Sequence, residues 1–288
     1  MTPSNRGYLI ALLSATSYGL MSFLVHWNPA KFPPTELVAM RSIFTAIILF
    51  PFVRRDLDKF FRKDAMVLWI RSATGSVGVI CYFIALQGTS SSNANLLFSS
   101  SPIFVALFAW LLFRATVGRA ELLGIILIVL GNAVLWIPES SPIPVGVGLT
   151  GTLGALFASF AFLSIGEAVK RYSAALVVFG FSIFSLLFAL CIPSASWTIP
   201  TISLWPFTLS VAALGLSSQW LSTVSFKYLK SSVATAIGRS SIIFSGLLDV
   251  AYTAFKPGVF ELISYTLIFL GIYIAHRYRE HFLGQTNI

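Results

Sequence analysis

The chain has 288 residues, of which 57% are hydrophobic and only 10% are charged, and its formal net charge is +9. Soluble domains carry about 25% charged residues because their surfaces must be hydrated. A mean hydropathy of +0.86 therefore excludes a soluble domain and indicates a membrane protein. The basic residues lie in short connectors between apolar runs, which argues against a nucleic-acid surface.

Ten apolar runs of membrane-spanning length follow one another along the chain. A helix needs about 20 apolar residues to cross the hydrocarbon core, and Gly and Pro residues punctuate the joins. The runs cover about 7–26, 34–53, 66–87, 93–113, 120–137, 148–168, 173–192, 204–226, 233–255 and 259–276. They predict an all-α membrane protein with ten transmembrane helices, and they leave no room for a soluble domain.

The basic residues also predict the orientation of the helices. If the N-terminus is inside, the interior segments hold fourteen Lys and Arg residues, whereas the exterior segments hold only Lys31 and Lys256. Cytoplasmic connectors of membrane proteins are enriched in Lys and Arg. We therefore expect a multi-pass protein of the inner membrane with both termini in the cytoplasm.

The second half of the chain repeats the first. When residues 85–131 are laid on residues 225–271 without gaps, 15 of 47 positions are identical. The aligned pairs include Ser91-Ser92 with Ser231-Ser232 and Glu121 with Glu261, and at the same shift Gly75 aligns with Gly215. The halves, residues 1–138 and 139–288, are thus predicted to hold five helices each.

An odd number of helices in each half has a consequence for topology. The second half must enter the membrane from the opposite side, which gives the 5+5 inverted repeat of many secondary transporters. In such proteins the substrate lies near the midplane between the repeats, and alternating access exposes it to each side in turn. The repeat therefore predicts a transporter.

Several short motifs resemble the drug/metabolite transporter superfamily in its EamA-type branch. They are Ala15, Tyr18 and Gly19 in helix 1, Arg41 in helix 2, Tyr82 with Ala85-Leu86 in helix 3, Pro102 in helix 4, and Glu121 with Gly131 in helix 5. The resemblance covers nearly the whole chain and implies ten helices and export of small metabolites. Within the branch the chain is most similar to bacterial aromatic amino acid exporters. Two positions depart from symmetry, because Ile242 stands opposite Pro102 and Arg239 stands opposite Ser99.

Ionisable groups at membrane depth are costly and are functional hypotheses by default. Arg41 lies well inside helix 2, where it binds a substrate carboxylate, forms a gate, or anchors backbone carbonyls. Arg239 lies inside helix 9 next to Gly238 and suits a carboxylate or phosphate in a dry site. Asp249 lies deep in helix 9, where it binds a proton, pairs with a cation, or is simply hydrated near the outer surface.

Positions that are polar or aromatic in both halves predict a central cavity lined by helices 1, 3, 4, 6, 8 and 9, and on helices 3 and 8 spacings of three and four place them on one face. The predicted substrate-binding residues are Tyr18, Tyr82, Asn95, Ser99, Ser100, Gln219, Trp220, Ser222, Arg239 and Ser240. Close helix packing is the alternative for the small residues. Pro102 removes a backbone hydrogen bond in mid-helix, so it predicts a kink that is either a hinge or static.

The sequence gives no support to an enzyme. The three histidines fall at helix ends, no metal-ligand spacing or nucleophile motif occurs, and no cofactor is expected. The partners expected are a small-molecule substrate and the lipid bilayer, and the chain is either a monomer or a homodimer. Export of aromatic amino acids is the preferred function, and efflux of hydrophobic cations is the alternative, which unpaired arginines disfavour.

Overall fold

A computed structural model describes residues 3–101, 104–105, 107–108, 111, 119–134, 143–192, 197–229, 234, 237–253 and 256–284 of the chain. The regular elements of these residues are helices. They are α1 (Pro3–Trp27), α2 (Pro34–Val53), α3 (Leu57–Phe60), α4 (Met66–Gly88), α5 (Ser91–Phe98), α6 (Arg119–Val134), α7 (Val145–Arg171), α8 (Ala174–Cys191), α9 (Trp205–Ser225), α10 (Ser241–Tyr252) and α11 (Val259–Gly284), with short 3-10 turns at Lys63–Ala65 and Ile202–Leu204.

Five of these helices are long and apolar enough to cross a membrane, namely α1 from Asn5 onward, α2, α4, α7 and α8. Shorter apolar helices are present in α6, α10 and α11. Each of the ten runs read from the sequence contains a described helix, so the chain is a multi-pass membrane protein. The exact count of ten crossings stays a prediction.

The surfaces of the long helices match a lipid environment. The side chains of Ile47, Phe52 and Leu187 are more than half exposed, although water would oppose the exposure of apolar side chains of this size. Buried Arg and Asp side chains point instead into the protein. This inversion of the soluble pattern is expected where acyl chains, not water, contact the outside of the bundle.

Helix packing joins the two halves in equivalent pairs. Helix α4 packs on α7, and its repeat equivalent α9 packs on α1. Likewise α4 packs on α8 as α9 does on α2, and α5 packs on α7 as α10 does on α1. Three further pairs, α2 with α8, α5 with α10 and α6 with α11, join each helix to its own counterpart. These main contacts between the described helices are therefore unchanged when the halves are exchanged.

Small residues allow the closest of these contacts. A Cβ atom at Gly78 would lie 3.2 Å from Gly154 O, and a Cβ atom at Gly154 would lie 3.2 Å from Gly78 O. The backbones of α4 and α7 thus meet directly, in the manner of small-residue interfaces between membrane helices. This close helix–helix contact holds α4, which carries several cavity residues, against the second half of the chain.

Two of the predicted transmembrane helices are interrupted. Pro102 predicted a kink in the run 93–113 and no break was predicted in the run 233–255, and turns occur in both, at Ser99-Ser100 and at Arg239-Ser240. These positions are repeat equivalents, separated by the same shift that aligns the halves. A break in the middle of an apolar helix frees backbone groups that other protein groups or water must satisfy, so the interruptions mark the centre of the molecule as polar.

Candidate functional site

A central cavity lies beside the two interruptions. It contains about 820 Å³ of space free of protein atoms, including solvent at its mouth. Its lining comprises Ser14, Ala15, Tyr18, Arg71, Gly75, Val79, Phe98, Ala158, Ala161, Phe162, Ile165, Phe181, Ser218, Gln219, Ser222, Phe226, Ala234, Gly238, Arg239 and Ser241. Both halves contribute, five of the twenty lining residues are aromatic, and none of these described lining residues is acidic.

The cavity lies toward the end of the bundle at which α1 begins. On α1 the lining residues are Ser14, Ala15 and Tyr18, and the residues nearer its C-terminal end do not take part. The first turns of α1 pack against Tyr228 and Leu229, just beyond the end of α9. Because the lining residues of α9 lie in its last turns, the cavity lies nearer this end of the bundle.

Arg239 reaches across the interface between the halves. Its Nη1 donates to Phe98 O at 3.2 Å and its Nη2 donates to Ser101 Oγ at 2.7 Å. In a continuous helix Phe98 O would accept from the N–H of residue 102, which is proline and has none. The guanidinium of Arg239 thus supplies the donor that helix 4 lacks, and its Nε has no partner among the described residues.

Aromatic rings surround the same guanidinium. Arg239 Cζ lies 5.6 Å from the ring centres of both Phe98 and Phe162. Cation–π attraction of this kind stabilises a buried cation without neutralising it. Arg239 therefore retains its positive charge toward the cavity.

Arg71 is a site residue that the sequence reasoning missed. It lies one turn into α4, is only 3% exposed, and lines the cavity. Its Nη2 donates to Gln219 Oε1 at 3.2 Å, and its Cζ lies 4.6 Å from the Phe181 ring centre. It lies near the start of the apolar run 66–87, and the sequence reasoning assigned it no role. The intramembrane depth of a charge near a helix end depends on tertiary packing, which the sequence did not reveal.

A repeat-related pair of glycines accommodates two guanidinium groups. A Cβ atom at Gly75 would overlap Arg71 Nη1, and one at Gly215 would lie 2.6 Å from Arg41 Nε. Arg41 is buried beside the Phe83 and Phe181 rings, at 5.8 and 5.5 Å, and its Nη1 has no partner among the described residues. The aligned glycines, one from each half, thus each leave space for a guanidinium group of the first half.

A hydrogen-bond network closes the cavity on the far side. Tyr82 is fully buried, its hydroxyl donates to Asn95 Oδ1 at 2.7 Å, and it lies 2.6 Å from Ser22 Oγ. Asn95 Nδ2 in turn donates to Ser245 Oγ at 3.0 Å. Tyr18 stacks on Tyr82 with ring centres 5.3 Å apart. The network joins α1, α4, α5 and α10, so it forms a polar floor between the halves.

Replacing Tyr82 with Phe tests this floor. The change removes the hydroxyl but keeps the ring, so it leaves Asn95 Oδ1 without its donor in a dry interior. We expect the free energy of unfolding in detergent to fall by about 1–3 kcal/mol, the usual cost of an unsatisfied buried polar group. Chemical denaturation measures it. Tyr8→Phe, at a tyrosine that is 43% exposed, should change the value by less than about 0.5 kcal/mol. Equal effects of the two variants would contradict the network.

Asp249 is completely buried, which corrects its interpretation as a group hydrated at the outer surface. Its Oδ1 accepts from Ser91 Oγ at 2.7 Å, and its Oδ2 accepts from Ser92 N at 2.8 Å and Ser92 Oγ at 3.0 Å. These donors stand at the start of α5, where the helix dipole favours a negative charge. A carboxylate of the second half thus caps a helix of the first.

The structure distributes the other predicted site residues over several environments. Tyr18, Gln219, Ser222 and Arg239 line the cavity, and Tyr82 and Asn95 lie in the floor beneath it. Ser99, Ser100 and Ser240 are absent from the lining, and their hydroxyls donate to nearby backbone carbonyls. Trp220 packs on a separate apolar cluster with Val53 and Phe60. Pro102 lies outside the described residues.

Comparison with known proteins bears on what this cavity does. Residues 5–137 match the EamA-like transporter family. The pseudopaline exporter CntI of Pseudomonas aeruginosa is 25% identical over 240 residues, which cover 83% of this chain and 84% of that protein. An uncharacterized transporter of Bacillus subtilis, YetK, is 26% identical over 229 residues, covering 73% of this chain and 65% of that protein.

The fold also has a counterpart among solved structures. One crystal structure matches with a TM-score of 0.67 at 17% sequence identity, and the match covers 96% of this chain and 97% of that one. At this identity the likeness bears on the fold alone. It extends along essentially the whole length of both chains.

Proposed function

We propose that the chain is a multi-pass membrane transporter of the EamA type and not an enzyme, and that it exports small carboxylate-bearing metabolites by alternating access. Export would proceed from the cytoplasm across the inner membrane, from the side on which the cavity lies. The observation that carries the proposal is the charge of the cavity. It is lined by two buried arginines and, among the described residues, by no acid.

Three features support alternating access. The sequence repeat predicts two related halves of opposite orientation, and the main contacts between the described helices are unchanged when the halves are exchanged. The cavity lies nearer the end of the bundle at which α1 begins, and we infer that the Tyr82 network separates it from the other side. Exchanging the conformations of the two halves would open the closed side and close the open one, which is the motion that transport requires.

The charge of the lining supports an anionic group on the substrate. Removing a guanidinium from water is costly unless a partner compensates it, and a carboxylate matches its planar fork with two parallel hydrogen bonds. Arg239 has an Nε without a described partner and lies beside the helix interruptions. A substrate carboxylate at this position would complete its hydrogen bonding.

The walls of the cavity support an apolar or aromatic body on the same substrate. The rings of Tyr18, Phe98, Phe162, Phe181 and Phe226 all line it. Aromatic groups pack favourably in offset or edge arrangements, and the hydroxyls of Ser14 and Ser222 offer partners to an ammonium group. Aromatic amino acids, which combine these features, are therefore the first substrates to test.

Efflux of hydrophobic cations is the second candidate, because aromatic walls also attract organic cations. Such cations require a compensating carboxylate or a neutral cavity. The described lining offers two arginines instead, and like charges in a low-dielectric space repel strongly. The charge of the cavity disfavours this candidate.

Counterflow in proteoliposomes tests the proposal. The purified protein should accelerate exchange of labelled phenylalanine or tryptophan at least about tenfold over empty liposomes, and unlabelled tetraphenylphosphonium should not compete. Counterflow is chosen because it needs no ion gradient, so it detects a carrier whether or not transport is coupled to protons. Chemically unchanged solute must be recovered. Competition by the cation but not by carboxylates would reject the proposal in favour of the second candidate.

A further inference from the structure

We propose that Arg71 forms a second anion-binding subsite in the cavity, so that substrates with two anionic groups are bound in preference to monocarboxylates. The inference rests on the proposed transport function, because it names the chemistry of the solute for the same cavity. The preferred class is a dicarboxylate or polycarboxylate with an apolar body, and a simple monocarboxylate would fill only one subsite.

The hydrogen bonding of Arg71 is incomplete. A guanidinium carries five N–H donors, and the bond that the structure gives Arg71 is the one from Nη2 to Gln219 Oε1 at 3.2 Å. Its Nε is buried and has no partner among the described residues. Arg71 is only 3% exposed, and its side chain still lines the cavity. Its free donors are therefore available to a ligand and not to bulk water.

The buried carboxylates of the described chain are engaged elsewhere. Asp249 accepts from Ser91 and Ser92, Glu36 accepts from Thr198 N, and Glu261 accepts from Gly258 N. The ion pairs in the described residues are both on the exposed surface. No described acid thus neutralises a cavity arginine, and an anionic ligand would do so.

Arg41 increases the positive charge next to Arg71. Both guanidinium groups lie against the Phe181 ring, with Cζ atoms 5.5 and 4.6 Å from its centre, so the two Cζ atoms are at most about 10 Å apart. Two like charges at this separation repel each other appreciably where water is scarce. An anionic group bound at Arg71 would relieve this repulsion.

The Arg71 and Arg239 subsites are distinct. Arg71 contacts Gln219 and Phe181, whereas Arg239 contacts Phe98, Ser101 and Phe162. The two sets share no residue, and the two arginines come from different halves of the chain. A substrate that uses both must therefore present two separate anionic groups.

The local backbone is shaped to hold Arg71 in this place. A Cβ atom at Gly75, one turn further along α4, would overlap Arg71 Nη1. Glycine at this position costs helix stability relative to alanine, and the space it leaves is occupied by the guanidinium. Adding one methyl group at Gly75 would therefore move the cation without changing the charge of the protein.

Binding of two matched compounds tests the subsite. Phenylalanine and 4-carboxyphenylalanine share one frame and differ by one carboxylate. Isothermal titration of the purified full-length protein in detergent should show the wild type binding 4-carboxyphenylalanine at least about tenfold more tightly. Arg71→Gln should abolish this preference, while the Kd for phenylalanine changes less than about threefold. Gly75→Ala should reduce the preference similarly, and Gly146→Ala, at a glycine with nothing within 4 Å of an added Cβ, should retain it.

The outcomes separate the subsite from the transport function. Wild-type protein that binds neither compound or binds both equally overturns the subsite, as does Arg71→Gln or Gly75→Ala protein that keeps the full preference. An equal loss of both compounds in Arg71→Gln and Gly75→Ala would assign Arg71 to folding and also overturn it. A binding preference without counterflow of either compound would reject the transport function alone. Counterflow of phenylalanine without a preference would reject the subsite alone.

Discussion

Replacing Arg239 with Gln is expected to lower the affinity for a carboxylate substrate about 10- to 100-fold and to reduce transport to near the background of empty liposomes. A hydrogen bond to a charged group contributes about 1.5–3 kcal/mol, and about 1.4 kcal/mol corresponds to a factor of ten. Gln is shorter and uncharged, so it can neither reach Phe98 O and Ser101 Oγ together nor attract an anion. Titration and counterflow of the same preparation measure both quantities.

Two further variants separate the charge of Arg239 from its structural contacts. Arg239→Lys keeps the charge but offers a single nitrogen. It therefore does not reproduce the two hydrogen bonds that the two Nη atoms of the guanidinium donate to Phe98 O and Ser101 Oγ. We expect it to retain part of the affinity and to lose thermal stability. Arg171→Gln, at an exposed basic residue in the last turn of α7, removes one positive charge elsewhere and should behave as wild type. Undiminished counterflow in Arg239→Gln would contradict the site assignment.

The sequence predicts helices well here because lipid imposes a simple rule. A membrane helix must satisfy its own backbone hydrogen bonds and present apolar side chains, so helices such as α2, predicted at 34–53 and observed at Pro34–Val53, follow directly from composition. Proline and glycine at the joins add the end points. This information is local, and a single sequence contains it.

The interruptions were harder to predict because their cause is partly tertiary. Pro102 explains a break in the first half, but the second half has Ile242 at the aligned position and is interrupted nonetheless. The break there coincides with Arg239, whose side chain leaves its own helix to bond Phe98 O. The missing N–H of Pro102 thus affects both halves, because Phe98 O in the first half accepts instead from Arg239 in the second.

The candidate site was predictable only where a charge lies in the middle of an apolar run. Arg239 met that condition, but Arg71, one turn from the start of α4, did not. Tyr82 satisfied the spacing rule and nevertheless lies in the floor, because its hydroxyl pairs with Ser22 and Asn95 and leaves nothing for a ligand. The spacing of polar residues identifies a helix face. Contacts with neighbouring helices then determine whether that face lines a cavity or is packed against protein.

Replacing Asp249 with Ala is expected to lower the free energy of unfolding by about 2–4 kcal/mol. The variant leaves Ser92 N and the hydroxyls of Ser91 and Ser92 without their acceptor, and each unsatisfied buried donor costs about 1–3 kcal/mol, less where a hydroxyl can rotate to another partner. It also removes a negative charge from the start of α5. Denaturant titration in detergent measures the loss. Glu167→Ala, at an exposed residue paired with Lys170, should cost less than about 0.5 kcal/mol.

A double-mutant cycle isolates the contact between the halves. Asp249→Asn keeps the shape of the side chain but removes its charge, so its effect should fall between those of wild type and Asp249→Ala. Ser92→Ala removes one donor to the carboxylate, and in combination with Asp249→Ala it should cost less than the sum of the two single changes, by about 0.5–3 kcal/mol. Strict additivity would mean that the Ser92 hydroxyl does not contribute to this stabilisation. The bonds from Ser91 Oγ and Ser92 N to the carboxylate would then form the link between the halves without it.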